Sequence, residues 1–532
     1  MVRANAGRSA VFAAVLLWAA MAFVQPADAS GNRKVQPPRA ADIDQVVARA
    51  MDVFNVPGLA VGVVKDGQVV MAKGYGVREV GRAGKVDADT VFAIGSNTKS
   101  FTTAALAILV DEGRIGWDDK VIDHLPQFRL YDPYVTREFT VRDLLTHRSG
   151  LRPGAGDLMV FPDTKFKREE IIAGLHHLRP VSSFRSQFSY NNVLYMVAGE
   201  LIPKVTGKSW EDFVQRRVLD RLGMDSCSTT RDRAKKAVNV ATPHAILDGK
   251  LTTVEPLDVS LVAAAGGIQC NVKGMLEWAS AQLAGGAAPD GVLFSEARQR
   301  DMWTPQTVGP VSPMLTKLHG THFRAYGLGW NLEDFHGYKR VFHSGGLIGM
   351  VSHVTLLPEL KLGIVVLANQ QSSEAVNAIT LHIAKAYIGT GQQDWVGLYK
   401  SVADEQRAQI TAAEQEVSRA IEAAGSPPLP LSAYVGTYRD AWRGDATVRQ
   451  SGDELILEFS RTSRLVGTLQ HFGNGVFVVR WKDRSLGADA FVRFTQGFDG
   501  KVSSMTLQGL PGADGSFDYE DFEFSKVAVD SE

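Results

Sequence analysis

The stretch Gly95-Ser96-Asn97-Thr98-Lys99, which opens an almost wholly apolar run up to Val110, decides how this chain folds and what it can do. Residues three apart share one face of a helix, so the Lys99 amine can reach the Ser96 hydroxyl and take its proton. Burial lowers the pKa of a lysine, as a general base at neutral pH requires. The competing interpretation makes Ser96 a helix N-cap and Lys99 a solvated first-turn residue. The rest of the sequence must decide between the two.

The chain is long enough for two domains. Its 532 residues, 45% of them hydrophobic, exceed one ordinary core. The formal net charge of -1, with both signs interspersed, gives no electrostatic footprint for nucleic acid. The sequence contains no His-Glu-x-x-His, no Cys-x-x-Cys and no phosphate-binding glycine loop, so we expect neither metal nor cofactor. The expected partner is a small molecule or a short peptide, and the sequence indicates no oligomeric state.

The N-terminus has the pattern of a secretory signal peptide. Arg3 and Arg8 precede an apolar run from Ala10 to Val24, and the small-residue pattern Ala27-Asp28-Ala29 follows. We therefore predict a signal peptide over residues 1–29, cleavage after Ala29, and a periplasmic or secreted protein with no stable membrane span. An uncleaved anchor is the alternative, because a short span and a signal look alike.

Two cysteines, Cys227 and Cys270, occur in the whole chain. An oxidising compartment would permit a disulfide between them. Spacing alone does not distinguish that bond from two inert buried thiols.

Strand patterns at both ends of residues 30–390 predict the first domain. One antiparallel sheet assembled from the two ends and flanked by helices, an α/β fold, accounts for them. The predicted elements are a helix from Ile43 to Phe54, a hairpin of Leu59–Val64 and Val69–Lys73 through Asp66-Gly67, strands Arg340–His343, Val351–Leu357 and Lys361–Ala368, and a helix Ser373–Ile388.

A boundary follows the first domain. Residues 391–430 are predicted to be a linker, first helical and charged, then stiffened by Ser426-Pro427-Pro428-Leu429-Pro430. From Tyr434 to Gln508 the chain shows short alternating strands separated by Gly-Asp, Gly-Asn and Asp-Gly turns. This pattern predicts a small all-β domain over residues 431–528, a lipocalin-like barrel or half-barrel.

Two further motifs accompany the Ser-Lys pair. The phenol of Tyr190-Asn191-Asn192 can move a proton, and the Asn192 amide can hold a substrate carbonyl; a loop tyrosine and a helix cap are the alternative. In His343-Ser344-Gly345-Gly346 the glycines would let a substrate lie along a strand edge. The Gly346 amide could then pair with the Ser96 amide as an oxyanion hole.

The order Ser-x-x-Lys, Tyr-x-Asn and His-x-Gly resembles the serine β-lactamase and penicillin-binding-protein superfamily. The closest branch holds class C β-lactamases, D-alanyl-D-alanine carboxypeptidases, D-aminopeptidases and esterases. The resemblance covers roughly residues 41–390, and supporting stretches are Leu144–Leu151, Ala264–Gly267 and Tyr326–Trp330. Since lysine already fills the role of base, His147 within Thr146–Leu151 is interpreted as scaffold.

The resemblance implies a two-step acyl transfer. Ser96 would attack a carbonyl with Lys99 as base, and Tyr190 would assist proton transfer to the leaving group and from water. The substrate-binding residues would be Asn192, His343, Gly345 and Gly346.

The third motif narrows the expected substrate. Class C β-lactamases carry a lysine where this chain has His343, and a mostly neutral histidine holds a substrate carboxylate less well. We therefore expect a D-amino-acid-type peptide or a small ester, ahead of β-lactams or the cell-wall peptides of a DD-carboxypeptidase. An α/β-hydrolase is disfavoured by the missing Gly-x-Ser-x-Gly. A catalytically silent binding protein is disfavoured because binding does not require Ser96, Lys99 and Tyr190 together.

Overall fold

The computed structural model describes residues 37–234, 238–391 and 393–528. The predicted signal peptide, residues 1–29 with cleavage after Ala29, lies outside the described residues. Within those ranges, no helix combines the length and the apolar character that a membrane crossing needs.

The helices lie mainly between and after the strands of the first domain. They are α1 Ala40–Phe54, α2 Thr98–Asp111, α3 Val121–His124, α4 Pro133–Glu138, α5 Val141–Leu144, α6 Arg168–Gly174, α7 Val193–Thr206, α8 Trp210–Val214, α9 Arg231–Ala234, α10 Ala263–Gly266, α11 Val272–Leu283, α12 Glu296–Met302, α13 Pro313–His319, α14 Ser373–Ile388 and α15 Trp395–Ala423.

The strands fall into two groups along the chain. Those of the first domain are β1 Gly58–Lys65, β2 Gln68–Gly76, β3 Phe92–Ala93, β4 His244–Leu247, β5 Lys250–Thr253, β6 Gln269–Cys270, β7 Ala287–Ala288, β8 Gly291–Val292, β9 Thr307–Val308, β10 Arg324–Tyr326, β11 Asn331–Phe335, β12 Tyr338–Leu347, β13 Met350–Leu357 and β14 Leu362–Ala368. Those of the second are β15 Gly436–Asp440, β16 Gly444–Ser451, β17 Glu454–Phe459, β18 Val466–Gly473, β19 Val476–Trp481, β20 Ala490–Gln496, β21 Val502–Gly509 and β22 Phe524–Lys526.

The first domain is built on one antiparallel sheet in the order β2-β1-β14-β13-β12-β11-β10-β9. The central strands β13 and β14 are buried along their whole length, so both faces of the sheet need cover. Helices α1 and α14 bury one face, and the cluster that contains α2 and α11 buries the other. The predicted sheet, formed from the two ends of the domain, is confirmed.

The local predictions hold for the hairpin β1–β2 and for the helix α14, which begins and ends at the residues expected. The strand predicted to end at His343 is longer: β12 runs on to Leu347. Its ladder with β13 continues through Gly346, which pairs with Val351. The glycines therefore lie within a strand and do not follow one.

The second domain is a closed antiparallel barrel of the strands β15 to β22. Alternate residues such as Tyr438, Leu457, Val479 and Val492 fill its interior, as the alternating pattern predicts. A closed barrel leaves no unpaired sheet edge. The predicted fold class, an α/β domain with an antiparallel sheet flanked by helices followed by a small all-β domain, is confirmed, and the all-β domain is a full barrel.

Side chains from both domains pack into shared clusters. Trp442 of the barrel is buried against Gly174 of the first domain. A Cβ atom added to Gly174 would lie only 1.9 Å from the Nε1 atom of Trp442, so no larger residue fits there. Leu158 and Ile348 of the first domain belong to the buried cluster of the barrel interior. Val417 of α15 packs against Val478 of the barrel. The barrel is thus fixed against the first domain close to the segment that follows Gly156.

Cys227 and Cys270 form a disulfide. The bond connects the segment after α8 to the strand β6, which precedes α11. Of the two alternatives that the sequence left open, the structure has the bonded one.

Candidate active site

Ser96 lies in a 3-10 turn, Gly95–Asn97, immediately before α2. The sequence placed it on the helix itself, but the tighter turn still brings its hydroxyl to 3.0 Å from the Lys99 Nζ atom. Gly95 has φ +51°, and a Cβ at this position would lie 2.9 Å from the Gly346 nitrogen. Glycine is therefore required for the turn and for the approach of β12.

The Lys99 amine is completely buried and has three polar neighbours. It lies 3.0 Å from Ser96 Oγ, 2.7 Å from Asn192 Oδ1 and 3.1 Å from the Ala265 carbonyl oxygen. The last two atoms can only accept hydrogen bonds. A neutral amine has two N–H groups for these two acceptors, and its lone pair then faces the Ser96 hydroxyl. This arrangement suits a base that removes the serine proton.

Burial lowers the pKa of Lys99 from its ordinary 10.5 to about 7, and the nearby Asp157 carboxyl partly opposes that shift. A base is most useful when its pKa lies near the working pH. The phenol rings of Tyr190 and Tyr195 lie 4.7 and 5.3 Å from Lys99 Nζ and exclude water from it.

Tyr190 is partly exposed beside the nucleophile. Burial of its phenol raises the pKa of Tyr190 well above the ordinary value, while a hydrogen bond with Ser96 acts in the opposite direction. The phenol is therefore neutral at pH 7 and has a proton to donate. The predicted trio of Ser96, Lys99 and Tyr190 is brought together in space.

Asn192 is held between a base and an acid. Its Oδ1 accepts from Lys99, and its Nδ2 donates to Asp157 Oδ2 at 2.8 Å. The second bond fixes the amide so that oxygen, not nitrogen, faces the amine. Burial raises the pKa of Asp157 well above its usual range, and the neighbouring Asp518 adds to the shift.

The peptide group of Gly346 faces the serine turn. A Cβ atom added to Gly95 would lie 2.9 Å from the Gly346 nitrogen and 3.0 Å from the Gly346 oxygen. At this point β12 has no partner on the side of β11, because β11 begins opposite Phe342. Gly345 approaches the Ile94 carbonyl oxygen so closely that a Cβ would lie 1.9 Å from it. The two glycines thus serve close backbone approach.

The structure does not bring His343 to the cavity wall. Its side chain is buried, with Nε2 3.0 Å from the Tyr326 hydroxyl and Nδ1 2.7 Å from the Ser344 carbonyl oxygen. Burial lowers the pKa of His343 to about 3, so the ring is neutral. Along β12, Ser344 and Gly346 are exposed, whereas His343 and Gly345 are buried, as strand alternation predicts.

His147 is completely buried beneath the site. Its Nδ1 atom accepts from the Asn191 backbone N–H at 3.1 Å, and its ring lies 4.2 Å from that of Tyr190. Burial lowers the pKa of His147 far below the usual range. These contacts fit the interpretation of His147 as scaffold, since it supports the loop that carries Tyr190 and Asn192.

The barrel contributes directly to the site. Asp518 accepts hydrogen bonds from the Gly156 N–H at 2.8 Å and the Leu158 N–H at 2.9 Å, the two residues that flank Asp157. The Arg443 guanidinium donates to Asp518 at 3.0 Å, and both side chains are buried. A buried ion pair of the second domain therefore fixes the backbone position of Asp157.

A cavity of about 390 Å³ opens over the serine. The first domain lines it with Ser96, Asp157, Tyr190, Asn192, Ala265, Gly346 and apolar side chains that include Phe161 and Val259; the barrel lines it with Asp514, Gly515, Ser516 and Phe517. Among the described residues of this lining none is lysine, arginine or histidine.

A family model described as beta-lactamase matches residues 43–387. The chain belongs to the beta-lactamase family. The members of this family are serine hydrolases, and the match spans the whole sheet and the Ser96 turn. A second model, described as a domain of unknown function, DUF3471, matches residues 420–526, the barrel.

Similar curated proteins include one named as a hydrolase. The chain is 29% identical over 416 residues to the unguisins hydrolase ungD' of Aspergillus campestris, and the match covers 75% of each chain. It is 28% identical over 351 residues to the protein flp of Staphylococcus aureus, which covers 64% of this chain and 65% of that protein.

Solved structures share the fold. The octameric penicillin-binding protein homologue from Pyrococcus abyssi superposes with a TM-score of 0.60 at 22% identity, covering 92% of this chain and 100% of that one. A D-stereospecific amidohydrolase from Streptomyces superposes with a TM-score of 0.54 at 24% identity, covering 66% of this chain and 100% of that one.

Sequence reasoning missed two parts of the site. Asp157 lies in an irregular segment with no recognisable motif, and the loop Asp514–Phe517 lies more than 400 residues after Ser96. The cluster of acidic and turn-forming residues around Asp514 predicts a loop, but nothing in its pattern connects that loop with the serine.

Proposed function

We propose that this member of the beta-lactamase family cleaves a D-amino-acid-type peptide, amide or small ester through a covalent acyl intermediate on Ser96. The observation that carries the proposal is the Lys99 amine, which lies 3.0 Å from Ser96 Oγ while two obligate acceptors take its N–H groups. Its lowered pKa, about 7, makes the neutral amine accessible at neutral pH.

In the acylation step Lys99 accepts the Ser96 proton as Oγ attacks the carbonyl carbon. The backbone N–H groups of Ser96 and Gly346 stabilise the oxyanion. Tyr190 donates a proton to the leaving group, and Lys99 returns the serine proton to the phenol. Water then releases the acyl group by the reverse sequence, with the same groups moving its proton.

The residues that line the cavity support the ranking of peptides, amides and small esters ahead of β-lactams. A substrate carboxylate, as in β-lactams, is best held by a fixed cation, and the described lining offers Asp157 and Asp514 instead. His343 is neutral and buried behind the wall, so it adds no positive charge. Substrates without a carboxylate beside the scissile bond therefore fit better than β-lactams or C-terminal peptide acids.

The test is covalent labelling followed by turnover. A fluorophosphonate probe should label the wild-type protein and fail to label Ser96→Ala, whereas Ser344→Ala, which removes an exposed serine from β12, should label normally. The wild type should hydrolyse D-amino-acid amides or short-chain esters faster than a chromogenic cephalosporin. Labelling that persists in Ser96→Ala would refute the assignment of the nucleophile.

We also propose that the protein works outside the cytoplasm. The signal pattern of residues 1–29 and the disulfide between Cys227 and Cys270 support this location. The N-terminal sequence of the protein recovered from a secreting host should begin at Ser30. A recovered chain that still begins at Met1 in the cytoplasmic fraction would contradict the proposal.

A further inference from the structure

The amide of Asn192 can present either its oxygen or its nitrogen to the Lys99 amine, and the base works in only one of these orientations. The two ends of an amide have the same shape, so its hydrogen-bond partners decide which way it points. In the structure Asn192 Oδ1 lies 2.7 Å from Lys99 Nζ and accepts one N–H of the amine. With Nδ2 in that place, the amide would donate to the lone pair of the neutral amine, which could then no longer accept the Ser96 proton.

Asp157 is the group that decides between the two orientations. Its Oδ2 lies 2.8 Å from Asn192 Nδ2, and its side chain is buried. A neutral amine both donates and accepts, so Lys99 tolerates either end of the amide, whereas a carboxylate has only acceptors and binds the nitrogen. Protonation of Asp157 is compatible with the same orientation, because Oδ1, which has no hydrogen-bond partner among the described residues, can hold the proton while Oδ2 still accepts.

The second domain holds Asp157 in place. The backbone N–H groups on both sides of Asp157 donate to the two carboxylate oxygens of Asp518, at 2.8 and 2.9 Å. The position of the Asp157 carboxyl therefore depends on a residue of the barrel. From Asp157 the contacts continue through Asn192 to Lys99.

We propose that Asp157 is a positioning residue, which fixes the Asn192 amide with its oxygen toward Lys99, and that Asp518 acts on the base through it. The inference rests on the proposed function, because it concerns the step in which Lys99 accepts the Ser96 proton. It gives the second domain a function in acylation that is separate from lining the cavity.

The effect of Asp157 on the ionisation of Lys99 can be isolated in an experiment. The Asp157 carboxyl raises the pKa of Lys99, against the larger effect of burial. The other titratable groups that face Lys99 are uncharged at pH 7, since burial raises the pKa of the phenols and lowers the pKa of the imidazoles. They are Tyr190, Tyr195, His147 and His343.

The first arm of the test measures the labelling of Ser96 by an uncharged fluorophosphonate as a function of pH. Asp157→Leu removes the acceptor, so that Asn192 Nδ2 turns to the amine, and the rate on the high-pH plateau should fall about 100-fold. The apparent pKa should move about one unit below that of the wild type, because a donor on the lone pair and the loss of the carboxyl both favour the neutral amine. A site that is merely opened to water would move it upward, toward 10.5.

Asp157→Asn separates orientation from charge. It removes the carboxyl, but its amide oxygen can still accept from Asn192 Nδ2, so the plateau rate should return to within about 10-fold of the wild type. Asp258→Asn is the matched control: it removes an exposed carboxylate between two residues of the cavity lining and should label as the wild type does. A cooperative urea transition checks that each variant is folded.

The second arm tests the contribution of the barrel. Asp518→Ala should slow labelling about 10-fold in the wild-type background and by less than about 2-fold in the Asp157→Leu background, because its effect passes through Asp157. Equal effects in both backgrounds would overturn this step.

The assignment of Asp157 itself is overturned by any of three results. They are a wild-type plateau rate in Asp157→Leu, an upward shift of its apparent pKa, and an Asp157→Asn variant as slow as Asp157→Leu. A wild-type protein that is not labelled at Ser96 would instead refute the proposed function.

Discussion

Replacing Lys99 by methionine should strongly slow the acylation of Ser96 and change how stability depends on pH. Methionine keeps most of the volume of the buried side chain and removes the amine. A general base contributes about 100- to 10,000-fold to rate, so the rate of Ser96 labelling should fall by that factor. The stability effect has a different origin, because it measures the ionisation of Lys99 and not its reactivity.

The size of the pH effect on the free energy of unfolding follows from the pKa of Lys99, which folding lowers from 10.5 to about 7. At about 1.4 kcal/mol per pKa unit, the fully protonated buried lysine costs the fold about 5 kcal/mol. The folded-state pKa is lowered, so wild-type stability should fall as the pH drops from 10.5 to 7, by about 1.4 kcal/mol per pH unit. Below pH 7 both states are protonated, and this dependence ends.

Urea unfolding of the two proteins at pH 7 and pH 9 measures the effect. The free energy of unfolding of the wild type, taken relative to Lys99→Met, should increase by about 2 to 3 kcal/mol between the two pH values. The lost hydrogen bonds to Asn192 and Ala265 change both measurements equally and cancel in the comparison. A constant difference between the two proteins would show that Lys99 has an ordinary pKa and would refute the reasoning.

Three further predictions concern single features of the site and fold. Tyr190→Phe should lower kcat for amides by about 100-fold or more, while labelling by a fluorophosphonate, whose fluoride leaving group needs less protonation, falls less. Asp518→Ala should destabilise the protein by about 3 to 5 kcal/mol in urea unfolding, because it breaks the buried ion pair with Arg443. It should also lower kcat/KM, because Asp518 holds the backbone beside Asp157, and an unchanged unfolding midpoint would contradict the prediction. Replacing Cys227 and Cys270 together by serine should lower the free energy of unfolding by about 2 to 4 kcal/mol, since the bond closes a loop with a sequence separation of 43, and an unchanged value would show that the bond does not form in solution.

The parts of the fold that sequence predicts well are those with a strong local period. The helix α14 and the hairpin β1–β2 show helical or strand spacing over many residues, and Asp66-Gly67 marks the turn. The end of β12 was predicted too early, because Ser344, Gly345 and Gly346 have low strand propensity. Their strand conformation depends on the ladder with β13, a tertiary contact that local propensity does not contain.

The residues of the candidate site also fall into those that the sequence predicts and those that it cannot predict. Ser96, Lys99, Tyr190 and Asn192 carry reactive groups in short motifs, so residue type and spacing were enough to select them. His343 was selected by the same reasoning, yet its ring is buried outside the cavity lining and forms a hydrogen bond with Tyr326. Asp157 could not be found from sequence, because its importance comes from an Asn192 contact and from an Asp518 anchor that lies in another domain.

The central claim is that a buried, uncharged Lys99 amine activates Ser96, and the pH dependence of Ser96 labelling tests it most directly. The second-order rate constant with an uncharged fluorophosphonate reports the ionisation of the free enzyme. It should rise with pH through a single ionisation near pH 7 and then stay level, since Lys99 must lose its proton to act. A rate that is flat across this range, or that still rises steadily toward pH 10, would contradict the account.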